Sequence, residues 1–120
     1  MTEGIISKDK VWSDVLHLFR SKEVISTTRG EATARLDRIE GEAIYLESFF
    51  RGKARIAKIK KADFDQAIDV LSVKGKIRQK DISNKDRRYV LGAMKELPYF
   101  KERKEITPDK TKPVPFIIWR

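Results

Sequence analysis

The chain contains no cysteine, and this absence excludes several ways of stabilising or equipping a small protein. Without cysteine there can be no disulfide, no thiolate nucleophile and no cysteine-ligated zinc. The only histidine is His17, which leaves little material for a zinc site or a histidine-based catalytic triad. A hydrophobic core must therefore hold the fold together. We expect no metal ion and no cofactor.

Long apolar runs are also missing. No run of about 18 apolar residues is present, as a membrane-spanning helix would need. Residues 1–10 lack the continuous apolar segment of a signal peptide. We therefore predict a soluble, intracellular protein of the cytoplasm with no membrane partner. A chain of 120 residues with 40% hydrophobic content is long enough for one core, which predicts one domain.

Motifs for nucleotide chemistry and for serine hydrolysis are absent as well. The chain has no Gly-x-Gly-x-x-Gly segment, no phosphate-binding Gly-x-x-x-x-Gly-Lys-[Ser/Thr] loop and no Gly-x-Ser-x-Gly elbow. These gaps favour a binding protein over an enzyme. The sequence identifies no catalytic residue.

What the chain has in abundance is positive charge, and that charge is unevenly placed. Residues 1–50 carry 7 Lys and Arg against 9 Asp and Glu, whereas residues 51–120 carry 20 against 9. The two parts thus have formal charges of −2 and +11 within a total of +9. Clustered Lys and Arg favour a polyanionic partner, because binding releases the counterions condensed on phosphates.

Two segments hold most of this excess. Residues 51–61 contain six Lys and Arg and no acid, and residues 74–88 contain seven that are interrupted by Asp81 and Asp86. Such clusters can be solvated surfaces that serve solubility, but two in one small chain favour a polyanion site. We predict that these residues contact nucleic acid: Arg51, Lys53, Arg55, Lys58, Lys60, Lys61, Lys76, Arg78, Lys80, Arg87 and Arg88. Among them, Arg51, Arg55 and Arg78 are the candidates for base-specific contacts, because a guanidinium can bind guanine in a bidentate way.

Apolar spacing predicts three helices. Ser7 caps a helix to about Arg20 whose apolar stripe includes Trp12, and a second helix begins near Lys61 and ends before Gly75. A third helix, capped by Ser83 or Asn84, runs through Leu97 and is stopped by Pro98. Its buried stripe comprises Tyr89, Val90, Ala93, Met94 and Leu97.

Alternating apolar and polar residues predict an antiparallel meander of three or four strands. β-Branched residues 24–28 indicate a short strand, and residues 32–39, 43–50 and 54–59 alternate between tight turns at 40–42 and 51–53. Phe49 and Phe50 must point to opposite faces of their strand. An exposed phenylalanine there could stack on a single-stranded base, unless the C-terminal segment covers it.

The C-terminal region predicts a division of the chain into three parts. Residues 1–100 form a single α+β domain, with an antiparallel sheet of three to five strands and about three helices. Residues 101–113 are mostly charged and include Pro108 and Pro113, which is typical of a linker. Residues 114–120 are too apolar to be left in water, so we expect a strand that returns to the sheet or docks on a partner chain.

Nucleic-acid binding, with DNA preferred over RNA, is the function that these observations favour. A first alternative is a protein-interaction module that binds an acidic partner or forms a homodimer through its C-terminal strand. A second is a metal-dependent nuclease, for which Glu102-Arg103-Lys104 is the only Glu-x-Lys match. A second group of acids, Asp37, Glu40, Glu42 and Glu47, alternates with apolar residues as an exposed strand face does.

Overall fold

The structure, a computed structural model, describes residues 6–22, 24–27 and 32–120. It belongs to the predicted α+β class, with a four-stranded antiparallel sheet, a separate two-stranded antiparallel sheet and three α-helices. The helices are α1 (Lys8–Ser21), α2 (Lys61–Lys74) and α3 (Arg87–Met94). The large sheet has the order β1 (Ile25–Ser26), β2 (Ala32–Glu40), β3 (Ala43–Phe50) and β4 (Lys53–Lys60), and the small sheet pairs β5 (Phe100–Glu105) with β6 (Val114–Trp119).

The predicted meander is confirmed, and its two faces differ. On one face, small and branched residues such as Ala34, Ile44, Leu46 and Ile59 are fully buried beneath the helices. The other face carries the alternate residues of each strand, and these are exposed or half-buried. The sheet therefore has one covered face and one open face. The end of the predicted short strand, Thr28, lies outside the described residues.

The first two helices agree with the sequence prediction. Ser7 caps α1 by accepting a hydrogen bond from the Lys10 backbone N–H at 3.0 Å, Trp12 is buried, and His17 is exposed. Helix α2 ends at Gly75, whose φ of 77° is the left-handed conformation of a C-cap. None of the helices in the described part of the chain is long and apolar enough to cross a membrane.

Helix α3 is shorter than predicted. Residues 83–86 form a loop in which the Asn84 side-chain oxygen accepts a hydrogen bond from the Asp86 backbone N–H at 2.8 Å, so the helix begins at Arg87. The chain leaves the helix at Met94, and Leu97 is buried from the following turn. The predicted stripe is nevertheless buried throughout, so its spacing identified the core correctly.

The C-terminal region differs from the sequence prediction at residues 101–105, which belong to β5 where a linker over residues 101–113 was expected. Phe100 is fully buried and packs against Trp119, with ring centroids 4.8 Å apart. The returning strand β6 pairs with β5 rather than with the large sheet. Ile117 is also bound to Ile77 by backbone hydrogen bonds of 2.8 and 3.0 Å, which attach the small sheet to the segment after α2. The apolar C-terminal segment is thus docked on its own chain.

Candidate nucleic-acid interface

The turn between β3 and β4 projects basic side chains at one end of the sheet. Arg51 and Gly52 both have positive φ, 54° and 79°, as the type I′ form of a two-residue hairpin turn requires. The Arg51 guanidinium lies 5.0 Å from the Phe50 ring centroid. Arg88, at the start of α3, lies 4.6 Å from the same ring. Phe50 therefore brings together basic residues from the two clusters of the sequence.

Asp86 joins the same two segments by hydrogen bonds. Its side chain is only 3% exposed; one carboxylate oxygen pairs with Arg55, and the other accepts a 3.0 Å hydrogen bond from the Lys58 backbone N–H. The carboxylate thus fixes strand β4 against the residue that precedes α3. Its negative charge is compensated inside the structure.

A surface pocket of about 390 Å³ lies beside Asp86, and its lining includes Lys58, Lys60 and Lys85. Asp63 also lines this pocket, but it is 7% exposed and its carboxylate accepts hydrogen bonds from the Lys60 N–H at 2.8 Å and from the Asn84 amide at 2.6 Å. The three ammonium groups are therefore on lysines that are exposed to solvent, whereas the acid is turned inward.

Two groups of basic side chains, one around the hairpin tip and Phe50 and one around the pocket at the β4 edge, together make up what we call the open surface. Within residues 6–22, 24–27 and 32–120, no carboxylate lies within 4.0 Å of the side-chain nitrogens of its members. Arg87 donates one long hydrogen bond, 3.4 Å, to the Ile82 carbonyl. The members of the open surface are Arg51, Lys53, Lys58, Lys60, Lys85, Arg87 and Arg88.

The remaining five predicted contact residues are paired with acids. Arg55 binds Asp86, and Lys61 lies within 3.3 Å of both Asp9 and Asp65, whose hydrogen bonds raise the pKa of that lysine. The other three, Lys76, Arg78 and Lys80, lie near the small sheet. We call these three, together with Lys74, the paired surface.

Each cation of the paired surface has a carboxylate partner. Lys74 pairs with Asp81 at 3.4 Å and Lys76 with Glu105 at 2.7 Å. Arg78 and Lys80 share Asp109, at 2.9 and 3.2 Å. The pKa of Asp109 is lowered by hydrogen bonds from the Thr107 hydroxyl and from Arg78, and the pKa of Glu105 is lowered chiefly by its hydrogen bond from Lys76.

The three arginines predicted to make base-specific contacts differ in whether they are paired with an acid. Arg55 and Arg78 are engaged by Asp86 and Asp109, and the Arg78 side chain is only 11% exposed. Arg51 is exposed at the tip of the hairpin. Of the three, Arg51 is the one whose guanidinium is available to a ligand without breaking an ion pair of the described residues.

The open face of the large sheet carries aromatic rings that the charge pattern alone does not reveal. Tyr45 and Phe49 lie on the same face of β3, and Phe49 is 39% exposed. The opposite facing of Phe49 and Phe50 is as predicted, and Phe49 is not covered by β6, which pairs with β5. Arg38 lies 4.1 Å and Lys58 5.4 Å from the Tyr45 ring centroid, and Arg35 lies 5.9 Å from that of Phe49.

The acids of that face lie toward β2. Glu47 binds Arg35 at 2.5 Å, and Arg38 binds both Asp37 and Glu40, at 2.7 and 3.1 Å. The acids in this group are exposed or half-buried, as expected for an exposed strand face.

The Glu-x-Lys match gains no support from the geometry. Glu102 lies on β5, and no group of three His, Asp or Glu side chains in the described ranges is arranged to hold a metal ion. One oxygen of Glu102, Oε2, is buried without a hydrogen-bond partner among the described residues.

Comparison with known proteins returned no relative. No family model matches the chain, no curated protein resembles it significantly, and no solved structure matches its fold significantly.

Proposed function

We propose that this protein binds nucleic acid through the open surface, with DNA preferred over RNA. The observation that carries the proposal is that the β3–β4 hairpin and the segment before α3 meet in three dimensions and present cations without carboxylate partners among the described residues. Cations that are already neutralised gain little by meeting phosphate, whereas unpaired ones release condensed counterions. This difference supports the open surface over the paired surface as the contact region.

The plain alternative for β4 is protection of a sheet edge. β4 is the last strand of the large sheet, and lysines on an exposed edge discourage pairing with another chain. Edge protection accounts for Lys53, Lys58 and Lys60. It does not account for the approach of Lys85 and Arg88 from a different part of the chain.

The interaction-module alternative has two forms, and the homodimer through the C-terminal strand is the less supported one. The apolar C-terminal segment that would need a partner is docked on β5 with Phe116, Ile117 and Ile118 buried. The form that binds an acidic partner would use the same basic surface and has no observation of its own that favours it. We therefore retain nucleic-acid binding as the one proposed function.

Two triple variants with equal loss of charge test the proposal. The open triple variant replaces Lys53, Lys58 and Lys60 by Gln, and the paired triple variant replaces Lys74, Lys76 and Lys80 by Gln. Both are titrated by fluorescence anisotropy with labelled duplex DNA, single-stranded DNA and RNA at several salt concentrations. Each lost phosphate contact should reduce the slope of log K against log salt by about 0.9 for duplex and about 0.7 for single strands.

The open triple variant should lose slope and affinity, and the paired triple variant should change much less. Equal losses in both would show a response to net charge without a defined surface. The absence of binding by the unmodified protein at low salt would overturn the proposal.

A further inference from the structure

We infer that the open face of the large sheet binds single-stranded DNA, with bases stacked on Tyr45 and Phe49 and phosphates along β4. This inference rests on the proposed function, because Lys58 and Lys60 belong to the open surface. It adds the state of the DNA and the side chains that contact bases.

The spacing of the two rings suits an unpaired strand. Tyr45 and Phe49 are four residues apart on β3 and lie on the same face, so their Cα atoms are about 13 Å apart at the usual rise of a strand. Bases in a duplex are stacked on each other and cannot lie flat on protein rings. Bases of an extended single strand can, and aromatic stacking tolerates any sequence.

The charges across the sheet determine on which side the phosphates of the DNA strand lie. Lys58 lies directly opposite Tyr45 in the register, and Lys60 lies opposite Ala43 on the same face. Both lysines lie on the edge strand β4, whereas Asp37, Glu40 and Glu47 lie on β2 and β3. Phosphates are therefore attracted to the β4 side, whereas the two arginines of the β2 side, Arg35 and Arg38, are already paired with these acids. The bases are then left to reach inward over the rings.

The pocket beside Asp86 extends this path around the edge. Lys58 and Lys60 line it together with Lys85 and the Ser83 side chain. A backbone phosphate in this pocket would lie among three lysine side chains, and the buried carboxylates of Asp63 and Asp86 already have donors. The stacking face and the pocket share Lys58, so one strand can occupy both.

We commit to DNA as the single strand, in line with the proposed function. Stacking and phosphate contacts serve DNA and RNA alike, so the RNA strand in the test decides this choice. A second copy of the chain is a poorer occupant of this face. This face carries charged residues of both signs. Among the described residues it has two large apolar side chains with substantial exposure, Phe49 at 39% and Ile56 at 52%.

The test compares a double variant, Tyr45→Leu with Phe49→Leu, with the control Ile56→Ala on the same face. The ligands are a 12-nucleotide single-stranded DNA of mixed sequence, its duplex and an RNA strand of the same sequence. Loss of stacking should weaken single-strand affinity by about 5- to 150-fold per ring, without changing the salt slope. Duplex affinity and the control variant should change little.

Folding is checked by circular dichroism, and Phe49→Trp supplies an independent readout. The new indole should bind as tightly as the original ring. Because the chain already contains Trp12 and Trp119, the readout is the quenching by the single strand beyond that seen in the unmodified protein. Intact binding with no additional quenching would overturn the stacking contact.

The other outcomes separate this inference from the proposed function. Equal or stronger binding of duplex, or an unaffected double variant, would overturn the stacking inference and leave nucleic-acid binding in place. Absence of binding to any of the three ligands would overturn both. An RNA strand bound more than tenfold tighter than DNA, or self-association through this face in sedimentation velocity, would overturn the choice of occupant.

Discussion

The open surface and the paired surface both consist of Lys and Arg side chains, yet in the described part of the chain only the open surface presents cations without carboxylate partners. Lys76, Arg78 and Lys80 are held by Glu105 and Asp109, which come from the strand β5 and the turn after it. Lys53, Lys58 and Lys60 have no such partner among the described residues. The comparison teaches that a basic cluster in a sequence becomes a binding surface only where the fold brings no carboxylate to it.

The largest expected effect comes from detaching the small sheet that carries the paired surface. Ile117 is fully buried and joins β6 to Ile77, so Ile117→Ala should lower the free energy of unfolding by about 2–5 kcal/mol. Urea denaturation measures the loss. Ile106→Ala is the matched control, because Ile106 is 73% exposed in the same region and should be near neutral. Similar losses in the two variants would contradict the burial of β6 in the core.

Removing Asp86 should break the open surface itself. The Asp86→Ala variant loses the partner of Arg55 and of the Lys58 N–H, and we expect a loss of about 1–3 kcal/mol in stability. Nucleic-acid affinity of the folded variant should fall although a negative charge is gone, because the hairpin and α3 are no longer held together. Asp69→Ala, which removes an exposed acid on helix α2, is the control and should leave nucleic-acid affinity nearly unchanged. Tighter binding by Asp86→Ala would show that net charge matters more than alignment.

The paired surface should become available when its acids are neutralised. Glu105→Gln with Asp109→Asn releases Lys76, Arg78 and Lys80, and also Arg103, which pairs with Glu105 on the same strand. Nucleic-acid affinity should rise severalfold, and the salt slope should steepen by about 0.7–0.9 for each new phosphate contact. Glu42→Gln with Asp69→Asn changes net charge equally at other sites. An equal gain in nucleic-acid affinity from that control would show that net charge, and not the pairing of these cations, sets the affinity.

The smallest expected effect is the loss of stability when the pH is lowered. The pKa of Glu105 is lowered by the Lys76 hydrogen bond from its usual 4.5, and the pKa of Asp109 is lowered from 3.8. The two carboxylates therefore bind protons more readily in the unfolded chain than in the folded one. Their ion pairs stabilise the folded protein above about pH 4.5, and this stabilisation is lost as the pH falls below that value. Thermal unfolding between pH 6 and pH 3 measures the effect. Glu105→Gln with Asp109→Asn should flatten this dependence, and an unchanged profile would assign it to other carboxylates.

The elements that rest on local spacing were predictable from the sequence. The meander and the stripe of α3 follow from alternation and from 3.6-residue periodicity, and both are confirmed. Strand β5 was not predictable in the same way, because five of its six residues are charged. It forms a strand because it pairs with the apolar strand β6, to which it is connected by residues 106–113. The pairing of β5 with β6 is a contact between distant residues, and the local composition of residues 100–105 does not indicate it.

The candidate site was predictable in composition but not in connectivity. Residues 51–61 and 74–88 were identified as basic, yet the pairing of Lys76, Arg78 and Lys80 depends on Glu105 and Asp109, which lie 29 to 31 residues further along the chain. The acids inside the second cluster did carry a signal. Asp81 and Asp86 interrupt a basic run, and both accept backbone hydrogen bonds, from the Arg78 and Lys58 N–H groups.

The hairpin tip sets local backbone preference against side-chain chemistry. Arg51 has a φ of 54°, the only positive value at a non-glycine position within the described residues, and an L-residue in this conformation costs about 1 kcal/mol relative to glycine. Asparagine or glycine would close the same turn with less strain. A sequence selected for stability alone would therefore discard this arginine. The tip is where directed evolution toward thermostability and directed evolution toward affinity should diverge.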